Sequence, residues 1–443
     1  MDELLQLGEY IAASDLAKAS AETRRTVDQA ARSSLTCALL GLEREGWVWD
    51  FPRRAATGSG KASGSVKLLA SLFDVFDGVG HMGLAAGAAD CDPMDPGPSH
   101  SAIPATLASC VTLTAGGASH SAAAADHLVG SSVLAGIEAA MRMRRCISGT
   151  RPGVGYHSPG VYGAVAAAAA AARALNLGAR ECANAVAIAI DRSAGLGINS
   201  AATLVGVTHF GWGTIHGLEA ALLAAEGWPA SHDMGRALST LFAGSQIDLS
   251  AMVTQYPLSV TEALVFKWYP CNIYTNLAVL MLENLDERTV DAVEITMPWI
   301  PHLDCPEPRN VRQARNSAQA VAAIAAAGDT SYAAFSGPGG RWEPTAKVAQ
   351  LLSRIRLTMD RSLPTNLDAA EVGVRVQRNS KIILEARKSM KDLHGWGREH
   401  AKRLMGSEDQ RGSIDALYGS SIVEGFRHVQ NRREALLTEG SRT

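Results

Sequence analysis

Apolar residues recur at intervals of three and four along most of the first 226 positions, the repeat expected of helices with one buried face. Leu4, Leu5, Tyr10 and Ile11 mark a first helix, and Ser20, with Glu22 and Thr23 behind it, opens a second that runs through Leu40. Thr57–Ser65, rich in Gly and Ser, reads as a loop ahead of a helical segment over Val66–Phe76. Further helices are predicted at Ala102–Thr114, Ala122–Arg145, Tyr162–Leu175, Arg180–Ser193 and Trp212–Glu226. Their short, Gly-marked connections predict neighbours packed side by side in a bundle. From His81 to Asp90 the composition turns to Gly and Ala, and over Asp92–Pro98 three prolines then forbid regular structure, giving a loop between two helices.

Past residue 258 the period changes. Val293–Met297, Arg354–Thr358 and Val372–Val376 alternate as half-buried strands do, with helical stretches at Thr275–Asn284 and Arg312–Ala326 between them. From about Glu399 to Leu437 the chain is polar and helical again. The predicted fold class is mainly α: a large all-helical domain over residues 1–258, a smaller α+β domain over 259–398, and C-terminal helices over 399–443 that return to the first domain and make it discontinuous. A length of 443 residues, more than one hydrophobic core usually serves, fits two domains.

Composition removes several function classes. Hydrophobic residues at 47% against 19% charged describe a folded protein, and a net charge of -3 supplies no basic field for nucleic acid. Arg142, Arg144 and Arg145 are expected to form a solvated helix face. Seven scattered cysteines with no Cys-x-x-Cys spacing argue against a zinc ribbon or an iron–sulfur site, and fit free thiols in a reducing compartment. The start Met-Asp-Glu carries no secretory pattern, and the most apolar window, Ala164–Ala172, is too short to span a bilayer. A soluble, cytoplasmic protein is expected, with organellar import left open. No glycine-rich phosphate-binding pattern is present.

Four stretches carry candidate chemistry. Asp90, Asp92 and His100 fall within eleven residues of the proline-rich loop, where carboxylates and an imidazole can exchange protons near neutral pH; the same residues serve equally as turn formers and a helix cap. His157 stands in the turn Gly155-Tyr156-His157-Ser158-Pro159-Gly160, ahead of an alanine run whose small side chains admit close backbone approach; it is either presented there for chemistry or caps the helix. His209 and His216, seven apart around Gly211 and Gly213, share one side of a helix, for packing or for ligand binding, though not at the spacing of a helical zinc pair. Lys267 precedes the aromatic turn Trp268-Tyr269-Pro270-Cys271, where its cation could hold a carboxylate or its stem lie along Trp268 at the surface.

Taken in order, Asp90–Asp92, His100–Ala105, Gly155–Gly163, His209–Ala224, Lys267–Cys271 and Pro308–Ser317 resemble the MmgE/PrpD family over about residues 5–335. That resemblance implies a helical domain with a smaller α+β lid, a homodimer, and a site in the cleft between the domains. It implies acid/base chemistry on a small polycarboxylate substrate with no metal and no organic cofactor, as in 2-methylcitrate dehydratase, cis-aconitate decarboxylase and iminodisuccinate epimerase. By motif position Asp90, His100 and His157 fall on the family's catalytic aspartate and histidines. Asp92, His209, Lys267, Tyr269, Asn276 and His302 are expected to bind substrate.

Two positions depart from the decarboxylase pattern. Gly206 stands where a lysine is expected, and Asn276 where a histidine is expected; an amide cannot shuttle a proton as imidazole does. His302 lies about where the decarboxylase has a tyrosine. The function expected is therefore a cofactor-independent lyase of the 2-methylcitrate dehydratase type. A decarboxylase or epimerase on a related acid, or a non-catalytic member that binds a ligand or partner, is the alternative.

Overall fold

A computed structural model describes residues 2–49, 75–94, 100–115, 121–148, 155–200, 203–254, 264–285, 290–337, 340–367, 369–405 and 408–439. The loop expected at Thr57–Ser65, nearly all of the helix expected at Val66–Phe76, and Pro96 and Pro98 of the proline-rich loop lie outside these residues. Seventeen α-helices and small sheets among the described residues make the chain mainly α with a smaller α+β part, as the hydrophobic pattern predicts. It divides into two compact units, one of residues 1–200, 204–264 and 412–443, the other of 201–203 and 265–411.

The helical unit contains α1 (Glu3–Ala13), α2 (Ala21–Arg44), α3 (Val75–Ala89), α4 (Ala102–Ala115), α5 (Ala122–Arg145), α6 (Ser158–Ala174), α7 (Ala179–Asp191), α8 (Val205–Ala225), α9 (Met234–Leu241) and α10 (Ser250–Val253). Ser20 and Ser121 cap α2 and α5, each hydroxyl accepting a backbone N–H from the first turn. The centre of the unit is α6, whose alanines pack against α4, α5, α7 and α8. Ala is the strongest helix former and has no side-chain entropy to lose, so this run supplies a stiff buried rod. It stops at Asn176, in the left-handed conformation (φ +56°), with Leu177 N–H donating to the Ala172 carbonyl at 3.0 Å in a Schellman closure.

Helix α8 comes closest to α6. A Cβ at Gly213 would lie 2.2 Å from the Pro159 carbonyl oxygen, and one at Gly217 would lie 2.5 Å from that of Ala164, so only glycine permits this crossing. One expectation fails on α5. Arg142 does not belong to a solvated face: it is buried, its guanidinium 3.6 Å from the carboxylate of fully buried Glu138 and donating to the Thr254 carbonyl at 3.1 Å. A lone arginine in a triplet looks like surface in sequence, whereas here the i, i+4 carboxylate supplies the partner that burial demands.

The α+β unit contains α11 (Ile273–Leu282), α12 (Val311–Arg315), α13 (Ala318–Ala326), α14 (Ala346–Leu352) and α15 (Arg398–Met405), around a four-stranded sheet of β1 (Ala292–Pro298), β2 (Ile355–Asp360), β3 (Glu371–Arg378) and β4 (Lys381–Ser389) in the order β2-β1-β3-β4. β1 and β2 run parallel, joined by a helical crossover, while β3 is antiparallel to both β1 and β4. β4 was not anticipated. Its Ile382 and Ile383 are exposed and adjacent, which spoils the alternation, and the turn before it is made by Asn379 and Ser380 at positive φ in place of the usual Asn-Gly. The helix expected over Arg312–Ala326 is broken at Asn316, where Ser317 caps α13. Two C-terminal helices, α16 (Glu408–Gly419) and α17 (Ile422–Glu439), complete the chain, the second packing on α2 in the helical unit.

Candidate active site

Three segments of the helical unit bring their imidazoles together. The first runs from the end of α3 to the start of α4. Asp90 (φ +56°) and His100 (φ +50°) both adopt the left-handed conformation, which is sparsely populated for residues other than glycine and costs of order 1–2 kcal/mol each. Nδ1 of His100 makes a short contact with the Asp92 carboxylate. Asp92 is 1% exposed, so this is a buried carboxylate–imidazole dyad. Asp92 is the carboxylate that orients His100; Asp90 is itself buried at the C-terminal end of α3. His100 does not cap α4.

The second segment is the turn into α6. His157 occupies the N-cap position, but its side chain makes no capping bond. Its backbone N–H donates to the Gly195 carbonyl at 2.8 Å, and Gly197 N–H donates to the Gly155 carbonyl at 2.7 Å, so two loops hold each other in register. The ring Nδ1 of His157 lies 2.8 Å from Nδ1 of His209, on the third segment, α8. The two rings are 5.0 Å apart between centroids, and His100 lies 6.0 Å from His157. Phe210 presents its ring edge-on to His100 and His157 at 5.6 and 6.3 Å, an apolar wall beside both.

Two residues not singled out in the sequence frame the site. Phe210 is one; Gly195 (φ +107°) is the other, since a Cβ there would sit 3.0 Å from the His209 ring. The run Ala194-Gly195-Leu196-Gly197 carries a glycine signal, but nothing in it says which ring it meets. Gly206 also has a structural reason: a Cβ would lie 2.4 Å from the Asn199 carbonyl oxygen, so the backbone at this position has no room for a lysine as it stands.

The other expected residues belong to the α+β unit. Lys267 is 4% exposed, which removes the reading as a surface lysine. Tyr269 is fully buried with the Arg403 guanidinium 4.7 Å from its ring centroid, and burial, with Glu283 adding to it, pushes its phenol above the ordinary range. Asn276 is fully buried within the Tyr269–Asn272 turn: its Oδ1 accepts from Tyr269 N–H at 2.9 Å and its Nδ2 donates to the backbone carbonyls of that turn. Its donors are taken up in holding the turn. His302 is exposed on a short 3-10 turn, Pro301–Leu303. Among the described residues, no group of three or more His, Cys, Asp or Glu side chains is placed to hold a metal ion, and no helix is long and apolar enough to cross a membrane.

A dyad of this kind presents one imidazole whose orientation is fixed by a carboxylate, next to a second imidazole hydrogen-bonded to a third. Such an arrangement can take a proton from one atom of a small molecule and give one to another. The family model described as MmgE/PrpD N-terminal domain matches residues 5–237, which include all three segments. Cis-aconitate decarboxylase of Mus musculus is 27% identical over 304 residues, 62% of this chain and 60% of that protein. Cis-aconitate decarboxylase of Homo sapiens is 28% identical over 182 residues, 38% of each. The matched stretches thus cover less than two thirds of either relative.

Proposed function

Because the chain belongs to the MmgE/PrpD family, we propose that it is a cofactor-independent lyase that removes water from a small hydroxy-polycarboxylate, in the manner of 2-methylcitrate dehydratase. The observation that carries this reading is the convergence of the Asp92–His100 dyad and His157 within one helical unit. Dehydration next to a carboxylate needs a base for the α-proton and an acid for the departing hydroxyl. His157 is our candidate for the base and His100 for the acid. Asp92 holds His100 with Nδ1–H toward its carboxylate and supports the imidazolium form that donates from Nε2. Lys267 remains the candidate for binding a substrate carboxylate. We read the enzyme as cytoplasmic and homodimeric, the latter to be measured by light scattering.

A second reading, decarboxylation, is favoured by the named activity of the mouse and human relatives. Gly206 and Asn276 weigh against it, because the first lacks the cation and the second is an amide held by its own turn.

The test is purified protein incubated in heavy water with 2-methylcitrate, citrate and cis-aconitate, with products read by mass spectrometry. Loss of water from a hydroxy acid, abolished in His157→Ala, is the expected result. Release of carbon dioxide from cis-aconitate would replace it with the second reading, and deuterium exchange without net elimination would indicate an epimerase.

A further inference from the structure

The contact between His157 and His209 joins two ring nitrogens of the same kind, Nδ1 to Nδ1, at 2.8 Å. Such a contact is a hydrogen bond only when it holds a single proton. With none, two lone pairs face each other; with two, a pair of N–H groups collide whether the rings are neutral or cationic. In the neutral pair one ring therefore carries its proton on Nδ1 and leaves Nε2 unprotonated, while the other carries it on Nε2 and accepts at Nδ1. The two imidazoles are held in opposite tautomers, one suited to act as base and the other as acid.

The surroundings fix this pair closely. Both rings are more than nine-tenths buried, at 8% and 7% exposure. Backbone bonding to Gly195 fixes the turn that carries His157, and a Cβ on the same glycine would lie 3.0 Å from the ring of His209. From another element His100 lies 6.0 Å from His157 and is bonded to Asp92, and Asp90 follows the last residue of α3. On its own turn His157 follows Tyr156, whose ring rests on Phe242. Farther along α8 come His216 and Glu219, the latter paired with Arg192.

We propose that His209 is the positioning residue of His157 and that the two pass a proton through their Nδ1–Nδ1 hydrogen bond. The proposal rests on the reading of His157 as the base. In the step, the substrate C–H bond breaks, its electron pair stays on carbon, and the proton joins His157 Nε2. The bridging proton moves from His157 Nδ1 to His209 Nδ1. His157 ends neutral with Nε2–H, and the positive charge rests on His209, one residue removed from the carbanion. Once the hydroxyl has left as water with the proton of His100, the Nε2 proton of His157 passes to solvent, the bridging proton returns to His157 Nδ1, and His100 regains a proton from solvent. A histidine present only to fill space would leave the His157 tautomer and its titration indifferent to what stands at position 209.

The experiment uses full-length protein labelled with 15N-histidine, with both rings assigned and followed by long-range proton–nitrogen correlation over about pH 5 to 9. Opposite tautomers at neutral pH, and a single proton taken up by the pair with both rings shifting together, are expected. His209→Phe should move the His157 nitrogen shifts, lower kcat about 10- to 100-fold with KM within about twofold, and displace the acid limb of the pH profile. His209→Asn, whose amide oxygen can accept from His157 Nδ1–H but cannot take its proton, should restore the His157 tautomer while kcat stays low. Independent titration of the two rings in the unmodified protein, or an unchanged kcat and pH profile in His209→Phe, would overturn the proposal. Should His209→Phe fail to fold, the spectra of the unmodified protein and of His209→Asn decide it. Should no substrate turn over, the reading of the function fails while the nitrogen spectra still test the proton bridge.

Discussion

Two histidines sit in the interior of the helical unit with nearly the same exposure, 2% for His81 and 8% for His157, yet their ring nitrogens meet different company. His81, on α3, donates from Nε2 to the Val48 carbonyl at 3.0 Å and accepts at Nδ1 from the Arg433 Nε–H of α17 at 3.1 Å. One partner is a backbone carbonyl that can only accept and the other a guanidinium that can only donate, so the tautomer is fixed. Burial lowers its pKa to about 4, with only partial relief from the Val48 bond. Trp49 closes the remaining side, edge to face at 4.8 Å. His157 instead bonds to a group that can both donate and accept. Burial alone therefore says little about what a histidine does; the chemistry of its partners separates a ring with a fixed tautomer from one whose tautomer can change.

This contrast can be broken by experiment. The largest effect is expected from His157→Ala, which should lower turnover by about 10²- to 10⁴-fold while shifting the melting temperature less than the corresponding change at His81. Steady-state kinetics beside calorimetry decide it, and retained turnover would remove His157 from the chemistry. His81→Ala should do the reverse, costing roughly 3 kcal/mol in denaturant unfolding, because it opens a cavity and leaves Arg433 Nε without its acceptor, with kcat nearly unchanged.

A third expectation concerns pH. A base whose folded pKa lies below its unfolded value of about 6.5 stabilises the fold in its neutral form. Its stabilisation is complete above pH 6.5 and is lost as pH falls from there toward 4, by up to roughly 3 kcal/mol. His81→Gln, which keeps a donor and an acceptor but does not titrate, should flatten this part of the stability profile, and an unchanged slope would refute the assignment. The smallest effect is expected from Trp49→Phe, which leaves the Leu42 carbonyl without its 2.9 Å donor and should cost about 1 kcal/mol with no change in turnover.

Much of the scaffold could be read from residue patterns, because helix signals are local. The helix expected at Ala122–Arg145 is present with those limits, and Ser20 opens α2 as the capping pattern indicates. The sheet was legible where one face is buried, as in Val293–Met297, and illegible in β4, where adjacent exposed isoleucines break the alternation. The site was legible as a set of residue types in order, but its wiring was not. Whether Asp90 or Asp92 meets His100 depends on two positive-φ residues in a loop, and the pairing of His157 with His209 depends on a helix crossing 52 positions later in the chain. Asn276 shows the limit of motif position from the other side: the resemblance leads one to expect a catalytic histidine there, while the bonds of the residue present are those of a turn.

The crossing of α6 and α8 has a consequence for how this protein can vary. Gly213 and Gly217 leave no space for even one methyl group against the opposing backbone. They act as a mechanical stop that sets how far apart Pro159 and its neighbours stand from the start of α8, and with it the reach between the two paired imidazoles. A lineage could exchange many of the outward side chains of either helix without disturbing that gauge, but a single added carbon at the stop would spread the helices and carry the rings beyond bonding distance. The residues of α8 with no side chain at all therefore set the tolerance of the one whose ring meets His157.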